Sequence, residues 1–344
     1  MNKQQITITG GAGFIGSNLA HRLLAEGHAV TVFDNLSRSG EQNLAWLRTQ
    51  HGEAALKVVC GELKDEVAVA NACEGADRIY HLAGQVAVTT SVTNPRQDFE
   101  SNALGTFNVL EAARTVANNP IVLYASTNKV YGGMEDVRIE ESDTRYSYAD
   151  FPYGIPETQL LDFHSPYGCS KGAGDQYVRD YHRIYGLRTV VARQSCIYGY
   201  RQFGVEDQGW VAWFMIAALK QRTIKIYGNG KQVRDALFIE DLIDAYAALV
   251  NHIDTAAGQI YNVGGGPENT MSIWAEFGPR LEQLLGRPIP IEHHAWRPGD
   301  QPVYISDIRK AERDLGWRPR ISVEEGIRRL FEWIRTNEDL FKHL

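Results

Sequence analysis

Tyr167 and Lys171 stand four residues apart in the run Tyr167-Gly168-Cys169-Ser170-Lys171. On a helix that spacing puts both side chains on one face. A free tyrosine titrates at about pH 10 and is a poor base at neutral pH. An ammonium beside it favours the phenolate. The pair can then take the proton of an alcohol. Thr127, in Ser126-Thr127-Asn128-Lys129 after the apolar run Ile121 to Ala125, adds a hydroxyl able to share that proton. The same spacing also describes a half-buried tyrosine beside a surface lysine, and a threonine that only caps a turn. A second motif upstream makes the chemical reading the more specific one.

That motif is Thr9-Gly10-Gly11-Ala12-Gly13-Phe14-Ile15-Gly16, with Gly10, Gly13 and Gly16 at three-residue intervals between a strand-like run and a helix-like run. Glycines there permit a tight turn, backbone approach to a pyrophosphate and close helix–strand packing. The helix start directs N–H groups and a positive dipole end at phosphates. In strand–turn–helix context this is a dinucleotide signature rather than a bare flexible turn. Asp34 ends the next strand, where a carboxylate accepts hydrogen bonds from both adenosine ribose hydroxyls and repels a 2′-phosphate. NAD is therefore expected rather than NADP, with Arg38 the residue that argues the other way. His81-Leu82-Ala83-Gly84 ends the fourth strand. Its small residues suit a backbone lying against the cofactor, and close packing explains them equally well.

The elements that must position these residues alternate. Strand-like runs at Ile6–Ile8, Ala29–Phe33, Leu56–Cys60, Arg78–Leu82, Ile121–Ala125 and Arg188–Ala192 are separated by helix-periodic stretches, notably Asp98–Val116 and Tyr167–Tyr185. This pattern predicts an α/β fold with a Rossmann-type doubly wound parallel sheet. After Gly199 the regularity breaks into short strands, among them Gln259–Tyr261, and helices near 210–220, 240–251, 271–285 and 323–336. A smaller C-terminal α/β substrate-binding domain is expected, with domains at 1–199 and 200–344 and some later segments returning to the first. Trp210, Trp213 and Phe214 have helical spacing and read first as core packing.

The bulk numbers narrow the function. A chain of 344 residues suits a large domain plus a smaller one. The net charge of -7 offers no basic surplus for nucleic-acid phosphates, while a few local arginines suffice for one diphosphate. No apolar run reaches a membrane span, and the polar start lacks the pattern of a signal peptide. Four scattered cysteines read as reduced cytoplasmic thiols. No Cys/His cluster has metal-ligand spacing. His293-His294 reads as part of a solvated loop.

The motifs resemble the extended short-chain dehydrogenase/reductase family over nearly the whole chain. TGGAGFIG (9–16), HLAGQ (81–85), Asn102-x-x-Gly105-Thr106, STNKVYG (126–132), YGCSK (167–171), RDALFIEDL (234–242), YNVGGG (261–266) and RPGDQP (297–302) carry the likeness. Within the family, QVAVTTSVTNPRQDFE (85–100), LDFHSPYGCSKG (161–172), YGYRQFGVEDQGW (198–210) and GNGKQVRD (228–235) resemble epimerases acting at C2 of CDP-dideoxysugars. The resemblance implies Thr127, Tyr167 and Lys171 as the catalytic group. It implies cofactor contacts from Gly10, Gly13, Phe14, Ile15, Gly16, Asp34, Asn35, Ser37, Arg38, Glu62, Leu63, Leu82, Ala83, Gly84, Gln85 and Asn102, besides Tyr167 and Lys171. Substrate contacts are implied for Gln85, Thr127, Asn128, Lys129, His164, Ser165, Arg201, Gln208, Arg234, Arg297 and Asp300, with Arg234 and Arg297 on the nucleotide diphosphate. A homodimer packed through the helices of 98–116 and 167–185 is also implied.

Two departures refine this. Family dehydratases carry an Asp-Glu pair after the catalytic threonine, and related decarboxylases a glutamate; here the positions are Asn128 and Lys129. Neither is a carboxylate able to take a C5 proton, so epimerisation by transient oxidation is expected. Cys196 stands where many 4-epimerases have a diphosphate-binding asparagine. The alternatives are a UDP- or GDP-hexose 4-epimerase, a net oxidoreductase that releases reduced cofactor, and a catalytically silent NAD-binding regulator, which would ordinarily have lost the tyrosine or lysine.

Overall fold

Runs rich in β-branched residues build the sheet of the first unit. In the computed structural model, which describes residues 3–38, 40–297 and 300–342, these are β1 (Gln5–Thr9), β2 (Ala29–Asp34), β3 (Leu56–Cys60), β4 (Arg78–His81) and β5 (Ile121–Thr127). They alternate with α1 (Phe14–Ala25), α2 (Gly40–His51) and α3 (Glu66–Cys73). α4 (Val88–Thr93), α5 (Pro95–Phe99) and α6 (Gly105–Thr115) lead into β5, and α7 (Ser165–Tyr185) follows it. The sheet has seven strands in the order Ile260–Val263, Arg188–Gln194, β5, β4, β1, β2, β3. β1 pairs in parallel with β2 on one side and β4 on the other; the β2–β3 and β4–β5 pairs are parallel too. The order therefore reverses between β1 and β4, the place where open α/β sheets bind ligands at their strand C-termini.

One layer of the core is formed by α3, α6 and α7. Val69, Val109, Leu110, Ala113, Val178 and Tyr181 pack with Val122, Tyr124 and Val191 of the sheet. This burial holds α7, with Tyr167 and Lys171, against β5, which ends in Thr127.

Three sequence expectations change. The run Gln259–Tyr261, expected in the second domain, belongs to Ile260–Val263, the edge strand of the large sheet. The single helix expected over Asp98–Val116 is interrupted by a π-helical turn at Glu100–Leu104. His293 and His294 lie on an exposed strand, Ile291–His294, paired in parallel with Ile224–Tyr227, not in a loop. The chain also divides differently from a cut after residue 199. One unit comprises Met1–Val130, Ser165–Arg193 and Ala245–Tyr261; the other comprises Tyr131–His164, Gln194–Asp244 and Asn262–Leu344.

In the second unit, the strand Val233–Phe238 pairs with Cys196–Tyr198 and Val303–Tyr304 in parallel, and with Thr270–Ser272 in antiparallel fashion. Helix Trp210–Leu219 packs by its aromatics. Trp210 lies 5.3 Å from Phe277 and Phe214 5.8 Å from Trp274, ring centre to ring centre. Phe214 is buried, while Trp210 and Trp213 are half-buried. No helix among the described residues is long and apolar enough to cross a membrane. Among them, no group of three or more His, Cys, Asp or Glu is placed to hold a metal ion.

Candidate active site

The glycine turn lies at the switch point. Gly10 has φ +72°, and a Cβ there would sit 2.7 Å from the Ala83 nitrogen. The turn and the Leu82-Ala83-Gly84 segment are thus pressed together as only glycine allows. A Cβ on Gly16 would run into the Gly10 carbonyl oxygen. Gly13 is the N-cap of α1, and no side chain caps that helix. The first turn, with Phe14 and Ile15, keeps its N–H groups for an anion.

Asp34 lies 22 residues beyond Ala12, whose N–H it accepts at 3.0 Å; its other oxygen accepts from the Leu36 N–H at 2.9 Å. Burial pushes its carboxyl above the ordinary aspartate range, against the pull of these amides. Asn35 donates to Glu62 at 3.2 Å, and Ser37 donates to Asn35 at 2.7 Å. Asn35, Ser37, Arg38 and Glu62 are exposed, while Leu63 is buried. This donor and acceptor set fits a dinucleotide: uncapped amides for the pyrophosphate, and a carboxylate with exposed polar neighbours for a ribose.

His81 is the residue of the HLAGQ run with a structural explanation. Its ring bonds the Thr9 hydroxyl at 2.7 Å and the Thr106 hydroxyl at 3.0 Å. Burial, with the Lys171 charge acting the same way, drives its pKa down to about 3. It is a neutral pin between β1, β4 and α6. Gln85 turns both ends of its amide onto the backbone of Ala87, at 2.6 and 3.1 Å.

Thr127, Tyr167 and Lys171 are all buried in the first unit. The Thr127 hydroxyl accepts the Lys129 N–H at 3.2 Å and is hydrogen-bonded to Tyr167. Asn128 and Lys129 are half-buried beside it. The Lys171 ammonium donates to the Ala125 carbonyl at 2.6 Å and sits 4.2 Å from the centre of the Tyr124 ring. The i, i+4 spacing leads one to expect a phenol drawn toward ionisation by its lysine. Instead Tyr167 is pushed up to about 12, chiefly by burial, with the Asp98 charge adding to it and the Thr127 bond opposing. Lys171 is pushed down to about 7 by burial, opposed by the charges of Asp175 and Asp98.

Ser165 begins α7 with φ +68°, and its hydroxyl accepts the Gly168 N–H at 3.2 Å. Such strain at a non-glycine residue is uncommon. His164 is exposed.

In the second unit Arg234 is buried and donates to Asp300 at 2.6 Å and to the Val233 carbonyl at 2.8 Å. Arg297 pairs with Asp207 at 2.9 Å and lies 3.8 Å above the centre of the Tyr227 ring. Arg201 has φ +65° and stands 5.8 Å from the Trp333 ring. Gln208 bonds through its backbone to Val205. Pro298 and Gly299 of the RPGDQP run lie outside the described residues. Burial pushes the Cys196 thiol up to about 12, which leaves it an unreactive neutral group.

Sequence reading missed the charges behind the site. Asp175 takes Arg193 through both carboxylate oxygens, each at 2.9 Å, and Ser126 at 2.7 Å. Asp98 takes Ser170 at 2.5 Å and Asn102 at 3.1 Å. The available signal was spacing: Asp175 is the next i+4 position after Tyr167 and Lys171 on the buried face of α7.

Comparison with known proteins fits this geometry. Residues 7–330 match the family described as GDP-mannose 4,6 dehydratase. The chain is 43% identical to the CDP-paratose 2-epimerase of Salmonella typhi, over 96% of this chain and 98% of that one. Among solved structures, the dTDP-glucose 4,6-dehydratase DesIV of Streptomyces venezuelae, crystallised as a double mutant with NAD, superposes with a TM-score of 0.84 at 30% identity, covering 98% of this chain and 99% of that one. The UDP-glucose 4-epimerase of Thermus thermophilus in complex with NAD gives 0.81 at 30% identity, covering 97% and 99%. The chain belongs to this family, the nucleotide-sugar epimerases and dehydratases of the extended short-chain dehydrogenase/reductase group.

Proposed function

We propose that this protein is an NAD-dependent nucleotide-sugar epimerase that inverts C2 of CDP-paratose to give CDP-tyvelose. The observation that carries the reading is end-to-end likeness to the Salmonella typhi enzyme at 43% identity. Asn128 and Lys129 support it: the residues beside Thr127 include no carboxylate for elimination across C5 and C6.

The amides of α1 would hold the pyrophosphate of NAD, and Asp34 its adenosine ribose. When bound, NAD supplies the carbon that accepts a hydride from the carbinol and returns it. The rest falls to the chain. Thr127 orients the C2 hydroxyl, and Tyr167 in its ionised form takes the proton of that hydroxyl; burial disfavours the ionised form and the Thr127 hydrogen bond favours it. Lys171, charged below about pH 7 by its own balance of burial and carboxylates, favours that phenolate. Return of the proton from Tyr167 completes the inverted alcohol. Arg234 and Arg297 would anchor the diphosphate, so the sugar can present either face while its nucleotide stays bound.

The test incubates purified protein with CDP-, UDP-, GDP- and dTDP-sugars, CDP-paratose among them, in deuterated buffer, followed by proton NMR. A C2-inverted product without solvent deuterium at C2 is expected. Inversion at C4 of another sugar would replace the substrate, and deuterium at C2 would replace hydride return by proton exchange. Tyr167→Phe should cost roughly 10²- to 10⁴-fold in turnover.

The protein is further proposed to be a homodimer. Phe99, Phe107, Tyr177, Ile184 and Tyr185 expose large apolar surfaces on α5, α6 and α7, which supports this reading. A purely monomeric sedimentation profile would refute it. The free cysteines, two of them exposed, support a cytoplasmic location.

A further inference from the structure

The first unit contains a buried carboxylate that the proposed mechanism does not use. Asp98 lies on α5 and is 1% exposed. Among the described residues its side-chain hydrogen bonds come only from neutral donors: the Ser170 hydroxyl at 2.5 Å and the Asn102 amide at 3.1 Å. A carboxylate in such a place is strongly disfavoured by lost hydration unless a charge answers it. Asp175, equally buried, is answered by Arg193. Among the described residues Asp98 has no such arginine.

Its two partners are informative. Ser170 sits on α7 between Tyr167 and Lys171. Asn102 lies in the π-helical turn, a widening that often marks functional positions. The Asn102 side chain also accepts the Gln85 N–H at 2.8 Å and donates to the Gln85 carbonyl at 3.1 Å. One amide thus grips the backbone that follows Leu82-Ala83-Gly84. A Cβ on Gly84 would stand 2.5 Å from the same Asn102 oxygen. Asp98, Asn102 and Ser170 therefore join the loop after β4 to the first turns of α7.

We propose that Asp98 is a positioning residue whose negative charge, held by Ser170 and Asn102, fixes the α7 face that carries Tyr167 and Lys171 and serves as the countercharge of Lys171. The inference rests on the reading of Tyr167 and Lys171 as the catalytic pair. The titratable groups around Lys171 are few. Tyr167 and Asp175 share its helix, Tyr124 comes from β5, His81 from β4 and Asp98 from α5. Tyr124 and His81 are neutral at pH 7, since burial drives one up and the other down. Asp175 is already matched by Arg193. Asp175 and Asp98 both favour the protonated amine, Asp175 the more strongly; Asp98 is the one of the two that forms no ion pair with an arginine among the described residues and that reaches α7 through Ser170.

The test needs no substrate, so it stands apart from the choice of sugar. Protein labelled with ¹³C at lysine Cε is titrated by NMR, with Lys171→Met identifying the Lys171 resonance. Wild type should titrate near neutral pH, and Asp98→Asn should move the midpoint to lower pH. Asp98→Ser, a neutral replacement of different shape, should move it the same way and serves if the asparagine variant does not fold. Asp98→Glu, which restores charge, should bring the midpoint back toward wild type. An unmoved midpoint in the neutral variants overturns the proposal. So does a glutamate variant displaced as far as the neutral ones, because packing rather than charge would then be responsible.

Discussion

Arg193 and Arg234 each pair with an aspartate away from bulk water, yet the pairs are closed to different degrees. The Arg193–Asp175 side chains are 1% and 0% exposed, and two 2.9 Å bonds join them in a fork. Ser126 occupies a further acceptor site on the same carboxylate. In the second unit Arg234 and Asp300 are 11% and 21% exposed and share one bond of 2.6 Å. A second Arg234 donor goes to the Val233 carbonyl. Among the described residues this leaves donors of its fork unengaged. A sealed bidentate pair fixes structure. A partly open, singly bonded arginine keeps the geometry that recognises a diphosphate. The difference separates a scaffold charge from a ligand charge.

The largest effect should come from breaking the sealed pair. Asp175→Asn leaves the Arg193 charge uncompensated in the core, a change that costs about 3–5 kcal/mol. Denaturant unfolding should show that loss, with NAD retention falling only as the folded fraction falls. A variant as stable as wild type would break the contrast.

Arg234→Gln should act on binding instead. Losing charge-assisted hydrogen bonds to a diphosphate costs about 1.5–3 kcal/mol, or roughly 10- to 150-fold in KM. Its unfolding midpoint should move less than that of Asp175→Asn, because Asp300 retains some solvent. If KM holds while stability falls as far as in the sealed pair, both arginines are scaffold.

The closed character of the first unit has a pH signature as well. The folded pKa of His81 is about 3, against 6.5 for the free side chain. Between those values the unfolded chain binds a proton that the folded one refuses. This contribution is constant above about pH 6.5 and is lost as the pH falls toward 3, with a slope of up to about 1.4 kcal/mol per pH unit. His81→Gln should flatten that acid limb relative to wild type. An unchanged limb would mean that His81 is not sealed.

Which of these features sequence reading could reach follows from distance along the chain. The glycine turn and the tyrosine–lysine pair are local: one needs three-residue intervals, the other one helical turn, and backbone geometry does the rest. Thr127 was legible because it ends a recognisable strand. Ile260–Val263 was not, since its place at the sheet edge depends on pairing with Arg188–Gln194 some 70 residues earlier. The π turn at Glu100–Leu104 hides inside an apolar periodicity that suits a plain helix equally well. Asp98, Asp175 and Arg193 were not singled out because their partners are not neighbours: Ser170 is 72 residues from Asp98, and Arg193 is 18 from Asp175. The division of the chain was blurred for the same reason, as 131–164 and 245–261 each lie in the unit opposite to their sequence neighbourhood.

The smallest expected effect on stability is at Arg297, which sharpens the comparison from its open end. Its side chain is 27% exposed and its partner Asp207 51% exposed. Such pairs are worth about 0.2–1 kcal/mol. Stacking on Tyr227 at 3.8 Å adds about 0.5–1 kcal/mol at an exposed site. Arg297→Gln should therefore shift the unfolding midpoint only slightly. The ion-pair share should vanish at 1 M salt, where the screening length is about 3 Å; the stacking share should persist. Arg297→Lys separates them further, because it keeps the charge and loses the flat face. A KM that rises in the glutamine variant by more than this small stability change assigns Arg297 to the ligand, beside Arg234. A KM that follows stability alone leaves Arg297 as a cover for Tyr227 and makes Arg234 the sole anchoring arginine of the two.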